Sequence, residues 1–209
     1  RIVEELNHPF YICGNEIVIG VSMGIALAPQ DALNASDLLR YSDIALYKAK
    51  NDPDAHWVFY KPDMAEQIVQ RRELEQELRE AIKHNQLFLL YQPRYDITLQ
   101  KITSLEALVR WQHPTHGLFM PDQFIPLAEE TGIIIALTDW VLTTACREVK
   151  AKSADLSLSV NISPVEFKAS DIVCRVKSIL AKTGFDPSRL ELEVTENATL
   201  SKPEKIGRA

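Results

Sequence analysis

The sequence predicts an α/β protein whose strands are mostly parallel and form either an open sheet or a closed barrel. Two observations support this. In the second half of the chain, apolar strand-like segments alternate with helix-like segments, and this order implies crossover connections between parallel strands. Three of the strand-like segments also alternate polar and apolar residues, so each has one polar and one apolar face. These segments are 102–111, 156–162 and 190–195.

Composition excludes several classes of protein. The chain has 209 residues, which allows one large or two small domains, and its 46% hydrophobic and 25% charged residues are typical of a folded globular protein. The net charge of −6 argues against DNA or RNA as a partner, because sequence-independent binding to nucleic acid needs a basic face. A small phosphate ligand held by local positive charges or by metal stays compatible with this charge.

The cysteines predict a reducing compartment. Cys13, Cys146 and Cys174 are odd in number and form no CxxC pair, so we expect no disulfide framework and a cytoplasmic location. The longest apolar run, 133–146, contains Asp139 and is shorter than the ~20 residues of a spanning helix. We therefore expect no membrane segment in this chain, while a parent protein could carry a tether upstream.

The first 62 residues predict a small α/β unit. The apolar run 17–28 contains two glycines and ends at Pro29, which favours a strand over a helix. Helical spacing follows over 34–51, and Trp57–Tyr60 predicts a short strand.

Residues 63–85 predict one long charged helix. Asp63 and Glu66 have the spacing of a capping box, and no glycine or proline interrupts the segment that follows. Its apolar stripe is narrow, which suits a connector between domains as well as a peripheral helix of either domain. The stripe consists of Ile68, Leu74, Leu78 and Ile82.

Residues 86–209 predict the alternating part of the fold. A strand over 87–92 precedes the three two-faced strands, and Gly132 and Gly184 are placed to end helices. Ser163 to Glu166 predicts a helical turn with serine as the cap and glutamate at N3. The predicted helices are 121–130, 133–151 and 171–182.

The polar strand faces point to a metal site. Glu106, Asn161 and Glu193 lie on the polar faces of three successive parallel strands, and in a barrel these faces would converge at the mouth. Two carboxylates and an amide oxygen are hard ligands suited to Mg²⁺ or Mn²⁺. Arg110 shares a face with Glu106 and could meet a phosphate oxygen. An open sheet with one solvated polar side explains the same pattern.

Motifs from about residue 70 onward resemble the EAL domain family of bacterial phosphodiesterases, which hydrolyse cyclic di-GMP. Glu106-Ala107-Leu108 matches the tripeptide that names the family. The flanking motifs occur in family order and make the resemblance specific. They are Tyr91-Gln92-Pro93, Val109-Arg110-Trp111, His113-Pro114, Gly117, Phe124-Ile125-Pro126-Leu127-Ala128-Glu129, Val160-Asn161-Ile162-Ser163 and Leu192-Glu193-Val194-Thr195-Glu196.

The resemblance implies a TIM-like (β/α) barrel and assigns roles to particular residues. It makes Glu106, Asn161 and Glu193 ligands of Mg²⁺ or Mn²⁺, with Glu106 and Glu196 in the catalytic group, Glu196 steadying a loop near the metals. It makes Arg110 a contact of the dinucleotide phosphate. Gln92 and Leu108 would line the substrate site, whereas His113 would be a loop residue and neither it nor His116 a metal ligand.

The first segment resembles the C-terminal part of a GGDEF domain, a family that makes cyclic di-GMP from GTP. The similarity lies in 21–26 and 42–50, and Lys50 matches a lysine that contacts triphosphate. Residues 52–55 replace a Gly-Arg-Asn run with Asp-Pro-Asp-Ala, which disfavours binding of GTP. The implied order is a GGDEF remnant over 1–62, a linker helix over 63–85 and part of an EAL domain over 86–209.

The resemblance also implies what is missing. The GGDEF motif and the paired aspartates, lysine, glutamate and glutamine of a complete EAL domain do not occur in these 209 residues. We therefore expect about half of a barrel, whose parent is a cyclic di-GMP phosphodiesterase and which is inactive alone. The alternatives are a receptor that binds cyclic di-GMP without turnover and a truncated product or swapped homodimer whose two chains complete each other.

Overall fold

A computed structural model describes residues 2–6, 8–13, 15–52, 55–153, 155–169 and 171–194. Among the helices in these ranges, none combines the length and the apolar character that crossing a bilayer needs. The chain divides into two compact units, with the boundary between Glu73 and Leu74.

The first unit contains a hairpin and a parallel β-α-β element. The parallel strands β3 and β4 are joined by helix α2, as the predicted order of strand, helix and strand requires. The elements are α1 (Ile2–Leu6), β1 (Phe10–Ile12), β2 (Asn15–Ile17), β3 (Met23–Ile25), α2 (Ala35–Lys50) and β4 (Trp57–Phe59).

Local signals account for α2 more fully than for the strand before it. The Asn34 side chain caps α2 by accepting a hydrogen bond of 2.8 Å from the Asp37 backbone N–H, as expected of an N-cap. The predicted strand over 17–28 is wrong in extent, because only three of its later residues pair as β3. Gly24 lies so close to α2 that a Cβ there would be 2.0 Å from the Ser42 carbonyl oxygen.

The charged helix α3 (Met64–Lys83) confirms the long helix predicted over 63–85. A salt bridge of 2.9 Å joins Arg79 to Glu75 at the i,i+4 spacing. The apolar side chains in its last turns pack in the core of the second unit, in which Leu78 is completely buried.

The second unit is a sheet with helices on its apolar side. Its strands have the order β5-β6-β8-β9, and the short β7 pairs with the end of β6. The elements are β5 (Leu87–Asp96), β6 (Lys101–His113), β7 (Gly117–Phe119), α4 (Pro121–Thr131), α5 (Ile134–Lys152), β8 (Ser157–Ile162), α6 (Glu166–Ala169), α7 (Ile172–Thr183) and β9 (Leu190–Val194).

Three of these four main strands are parallel, as the sequence predicts, and β5 is the exception. β6, β8 and β9 run parallel, with α4 and α5 before β8 and with α6 and α7 before β9. β5 is antiparallel to β6 because the connection of residues 97–100 is too short for a crossover, and Gln100 turns it with φ of 50°.

The apolar strand faces pack under the helices and leave the polar faces on the other side. Leu158, Val160 and Ile162 of β8 are buried in the same core as Trp111, Phe124 and Leu142.

Gly132 and Gly184 end α4 and α7 with φ of 73° and 62°, a left-handed conformation that glycine adopts without strain. The predicted helix ends are therefore confirmed.

Candidate functional site

The register of the sheet brings the polar faces of four strands side by side. Gln92 of β5 pairs with Glu106 of β6, and Glu106 pairs with Ser159 of β8. In the next row, Asn161 of β8 pairs with Glu193 of β9. The three predicted ligands thus lie on adjacent strands, and Asn161 and Glu193 are two residues further along the strands than Glu106.

A single guanidinium group joins the two carboxylates. Nη2 of Arg94 donates to Glu106 Oε2 at 3.1 Å and also to Glu193 Oε1 in a short hydrogen bond. Nη1 of the same side chain lies 3.7 Å from Glu191 Oε2. The carboxylates of two strands therefore converge on one positively charged nitrogen.

The amide of Asn161 completes this cluster. Its Nδ2 donates to Glu106 Oε1 at 2.9 Å, and this hydrogen bond, with help from Arg94, holds the pKa of Glu106 below its usual value against the opposing effect of burial. Glu106 thus stays ionised, and hydrogen bonds to Glu106 and Glu193 raise the pKa of Arg94. We name Arg94, Glu106, Asn161 and Glu193 the carboxylate site.

The donor set of the carboxylate site fits a divalent cation such as Mg²⁺ or Mn²⁺. Within the described ranges no three acidic, histidine or cysteine side chains form a metal cluster, and here the third oxygen donor is an amide. The fit rests on the convergence itself, since one cationic nitrogen already bonds to oxygens of both Glu106 and Glu193. Carboxylate and amide oxygens are the donors that these hard cations prefer.

The predicted substrate residues line the same side of the sheet. Leu108 and Arg110 follow Glu106 at two-residue intervals along β6, and the Arg110 guanidinium donates to the Val109 carbonyl at 2.8 Å. Within the described part of the chain, Arg110 makes no ion pair, so its charge is not neutralised by a carboxylate. Gln92 is exposed and lies opposite Glu106.

His113 is the last residue of β6, and His116 lies in the turn between β6 and β7. His113 is buried, and its Nδ1 accepts hydrogen bonds from the backbone N–H groups of Thr115 and His116 at 3.2 and 3.1 Å. Its Nε2 lies 3.2 Å from a carboxylate oxygen of Glu77 in α3. These contacts orient the turn, and the exposed His116 stacks on Phe119. The prediction that His113 is a loop residue is wrong, because its backbone pairs with β7 at the end of β6.

The two other predicted residues, Lys50 and Glu196, are not among the residues of the carboxylate site that the structure describes. Lys50 is exposed at the end of α2 in the first unit, and residues 53–54 of the altered run after it lie outside the described residues. Glu196 also lies outside them, so its role stays a prediction.

Arg94 is the residue that the sequence reasoning missed. Its signal was its spacing, because it lies two residues after Gln92 and shares the polar face of β5. Glu166 does more than its predicted position at N3 indicates, because its buried carboxylate accepts hydrogen bonds from Thr138, Arg175 and the Ser163 backbone.

Two family models match the chain. Residues 75–208 match the EAL domain, and residues 1–56 match the GGDEF domain of diguanylate cyclases.

Curated relatives are similar over nearly the whole chain. It is 36% identical over 204 residues to a bifunctional diguanylate cyclase/cyclic di-GMP phosphodiesterase, MucR of Pseudomonas aeruginosa, covering 96% of this chain and 30% of MucR. It is 34% identical over 208 residues to the cyclic di-GMP phosphodiesterase PdeR of Escherichia coli, covering 98% and 31%. The chain therefore spans about a third of the length of these relatives.

Solved structures show the same fold. The complex of the P. aeruginosa MucR phosphodiesterase with cyclic di-GMP matches with a TM-score of 0.58 and 39% identity, over 63% of this chain and 55% of that one. The Xanthomonas citri FimX EAL domain in complex with cyclic di-GMP matches with a TM-score of 0.55 and 25% identity, over 65% and 54%. The TIM-like barrel is thus represented here in part. The chain belongs to the EAL domain family, with a fragment of a GGDEF domain preceding its partial EAL domain.

Proposed function

We propose that the protein containing this chain hydrolyses cyclic di-GMP to the linear dinucleotide pGpG in the cytoplasm. The observation that carries this proposal is the carboxylate site, in which Glu106 and Glu193 converge on one cation beside the Asn161 amide. The names of the relatives MucR and PdeR support the substrate and the reaction. The odd number of cysteines and the lack of a CxxC pair in the sequence support a reducing compartment.

Glu106, Asn161 and Glu193 would hold the divalent cation. Bound there, such cations supply an activated water and neutralise charge on the phosphate in two-metal hydrolysis. The part of the protein is to aim both carboxylates at one point and to keep Glu106 ionised, which the hydrogen bond from Asn161 to Glu106 favours. Glu196 would steady a loop beside this site.

The rest of the polar face would bind the dinucleotide. Arg110 carries a positive charge that no carboxylate of the described residues neutralises, so a phosphate oxygen could accept hydrogen bonds from its guanidinium. Leu108, between Arg110 and Glu106 on the same face, offers an apolar contact to the substrate, and Gln92 an amide.

Turnover of cyclic di-GMP by the full-length protein in Mn²⁺ tests this proposal. We expect the wild-type protein to form pGpG and Glu106→Ala to lose at least about 100-fold in turnover. Changing a residue that supports a metal ligand costs about 10–100-fold in metal affinity or activity, and removing the ligand itself should cost more. Glu75→Ala is the matched control, because it makes the same substitution in α3, where the Glu75 carboxylate pairs with Arg79 of the same helix and is not part of the carboxylate site. We expect it to retain turnover.

Absence of turnover in the full-length protein would contradict the proposal. Tight binding of cyclic di-GMP without pGpG would identify the protein as a receptor instead. In the same assay we expect the 209-residue chain to be inactive, since it spans about half of the MucR phosphodiesterase structure. Hydrolysis that rises steeply with chain concentration would instead show that two copies complete the site as a homodimer.

A further inference from the structure

We propose that Arg94 is a built-in counter-cation of the carboxylate site, and that a divalent ion binds by displacing its guanidinium from at least one carboxylate. This inference rests on the proposed function in taking Glu106 and Glu193 as the metal ligands. It goes beyond that function because it identifies a group of this chain that competes with the metal for the two carboxylates.

The first support for the inference comes from the contacts of Arg94. Nη2 bonds to oxygens of both Glu106 and Glu193, and Nη1 approaches Glu191. The three carboxylates, one on β6 and two on β9, repel one another, and the guanidinium reduces this repulsion. Without such a cation, holding the carboxylates at this spacing would cost more free energy.

Competition follows from the size of the two cations. A guanidinium nitrogen lies about 2.7–2.9 Å from a carboxylate oxygen, whereas Mg²⁺ lies about 2.0–2.1 Å from its ligands. A metal between Glu106 and Glu193 would therefore need the space that Nη2 fills and the oxygens to which it donates. The two cations cannot bridge this carboxylate pair together.

The position of Arg94 allows it to move away. Its side chain is 40% exposed, so the guanidinium has a path to solvent on a long flexible stem. The β5–β6 register shifts between Arg94 and Tyr95, and such irregularities redirect a side chain relative to a regular strand. Arg94 therefore reaches the carboxylates from the edge of the site and can withdraw without breaking the core.

Binding of Mn²⁺ to the full-length protein without substrate tests the inference, measured by electron paramagnetic resonance of the free ion. We expect Arg94→Gln to bind Mn²⁺ about tenfold more tightly than the wild type, because a charge-assisted hydrogen bond no longer has to be broken. Equal or weaker binding by a folded Arg94→Gln variant would overturn the inference.

Arg110→Gln is the matched control for general electrostatics. It removes the same charge from the same polar face, but Arg110 bonds to a backbone carbonyl and not to the carboxylates. We expect a clearly smaller gain in Mn²⁺ affinity than for Arg94→Gln, and equal gains would refute displacement. If Arg94→Gln does not fold, Arg94→Lys must still bind Mn²⁺ more tightly than the wild type, because one ammonium bridges two carboxylates poorly.

The result can be separated from the fate of the proposed function. A tenfold effect on Mn²⁺ affinity in a protein that fails to hydrolyse cyclic di-GMP would support the role of Arg94 and reject the phosphodiesterase. Turnover of cyclic di-GMP with no effect of Arg94→Gln on Mn²⁺ affinity would support the phosphodiesterase and reject the role of Arg94. Absence of Mn²⁺ binding in every variant would overturn the inference.

Discussion

Cys146 shows how one side chain reports on the packing around it. It is completely buried in α5, within the core of the second unit, and burial raises the pKa of its thiol to about 11. Cys13 and Cys174 are exposed, and a hydrogen bond involving Asp171 raises the pKa of Cys174. Since the thiolate is the reactive form, burial and a raised pKa both slow the reaction of Cys146.

We therefore predict that a thiol reagent at pH 8 labels the exposed Cys13 and Cys174 in the folded protein and labels Cys146 only when the protein unfolds. A raised pKa leaves less thiolate at a given pH, so the thiolate of Cys146 becomes abundant only as the pH approaches 11. Mass spectrometry of the labelled peptides, with and without guanidinium chloride, measures this. Rapid labelling of Cys146 in the folded protein would contradict the packing described.

A buried ion-pair network joins the helices around β8. The carboxylate of Glu166 in α6 is completely buried and accepts a bond of 2.7 Å from Thr138 in α5 and one of 2.8 Å from Arg175 in α7. Arg175 also donates to Asp139 and to the Ile135 carbonyl of α5. One guanidinium thus links α5, α6 and α7.

We predict that Arg175→Met lowers the free energy of unfolding by about 3–5 kcal/mol, because it leaves the Glu166 carboxylate buried without its cation. Urea titration followed by circular dichroism measures the change. Arg147→Met is the control, since Arg147 is exposed on α5, and we expect a change within about 0.5 kcal/mol. A loss of less than about 1 kcal/mol for Arg175→Met would contradict the importance of the network.

At the scale of the whole molecule, a ligand that binds only the folded carboxylate site must stabilise the fold. Glu106 and Glu193 belong to different strands and face each other only once β6, β8 and β9 have paired. Binding of a cation between them is therefore coupled to folding of the sheet.

We predict that Mn²⁺ at about 100 times its dissociation constant stabilises the protein by about 2.7 kcal/mol. Thermal or urea unfolding with and without Mn²⁺ measures the shift, and a chelator should reverse it. The double variant Glu106→Ala/Glu193→Ala should show no stabilisation, because both carboxylate donors are gone. Equal stabilisation of that variant would place Mn²⁺ elsewhere.

The sequence alone determined what depends on local spacing. Helical spacing indicated α2 over 34–51, and Gly132 and Gly184 placed the ends of α4 and α7, because these signals act within a few residues. Alternation with a period of two placed Glu106 and Arg110 on one face of β6, since side chains alternate along any strand. The motif order, which resembles a family, indicated the kind of domain.

Only the tertiary structure decided what depends on strand pairing. β5 runs antiparallel because of the short connection at residues 97–100, and this direction lets Arg94 reach Glu193, which is 99 positions away in the sequence. Likewise, no local pattern joins Glu166 to Thr138, 28 positions away. The period of a strand tells which face a residue occupies, but only the register between strands tells which charge it meets there.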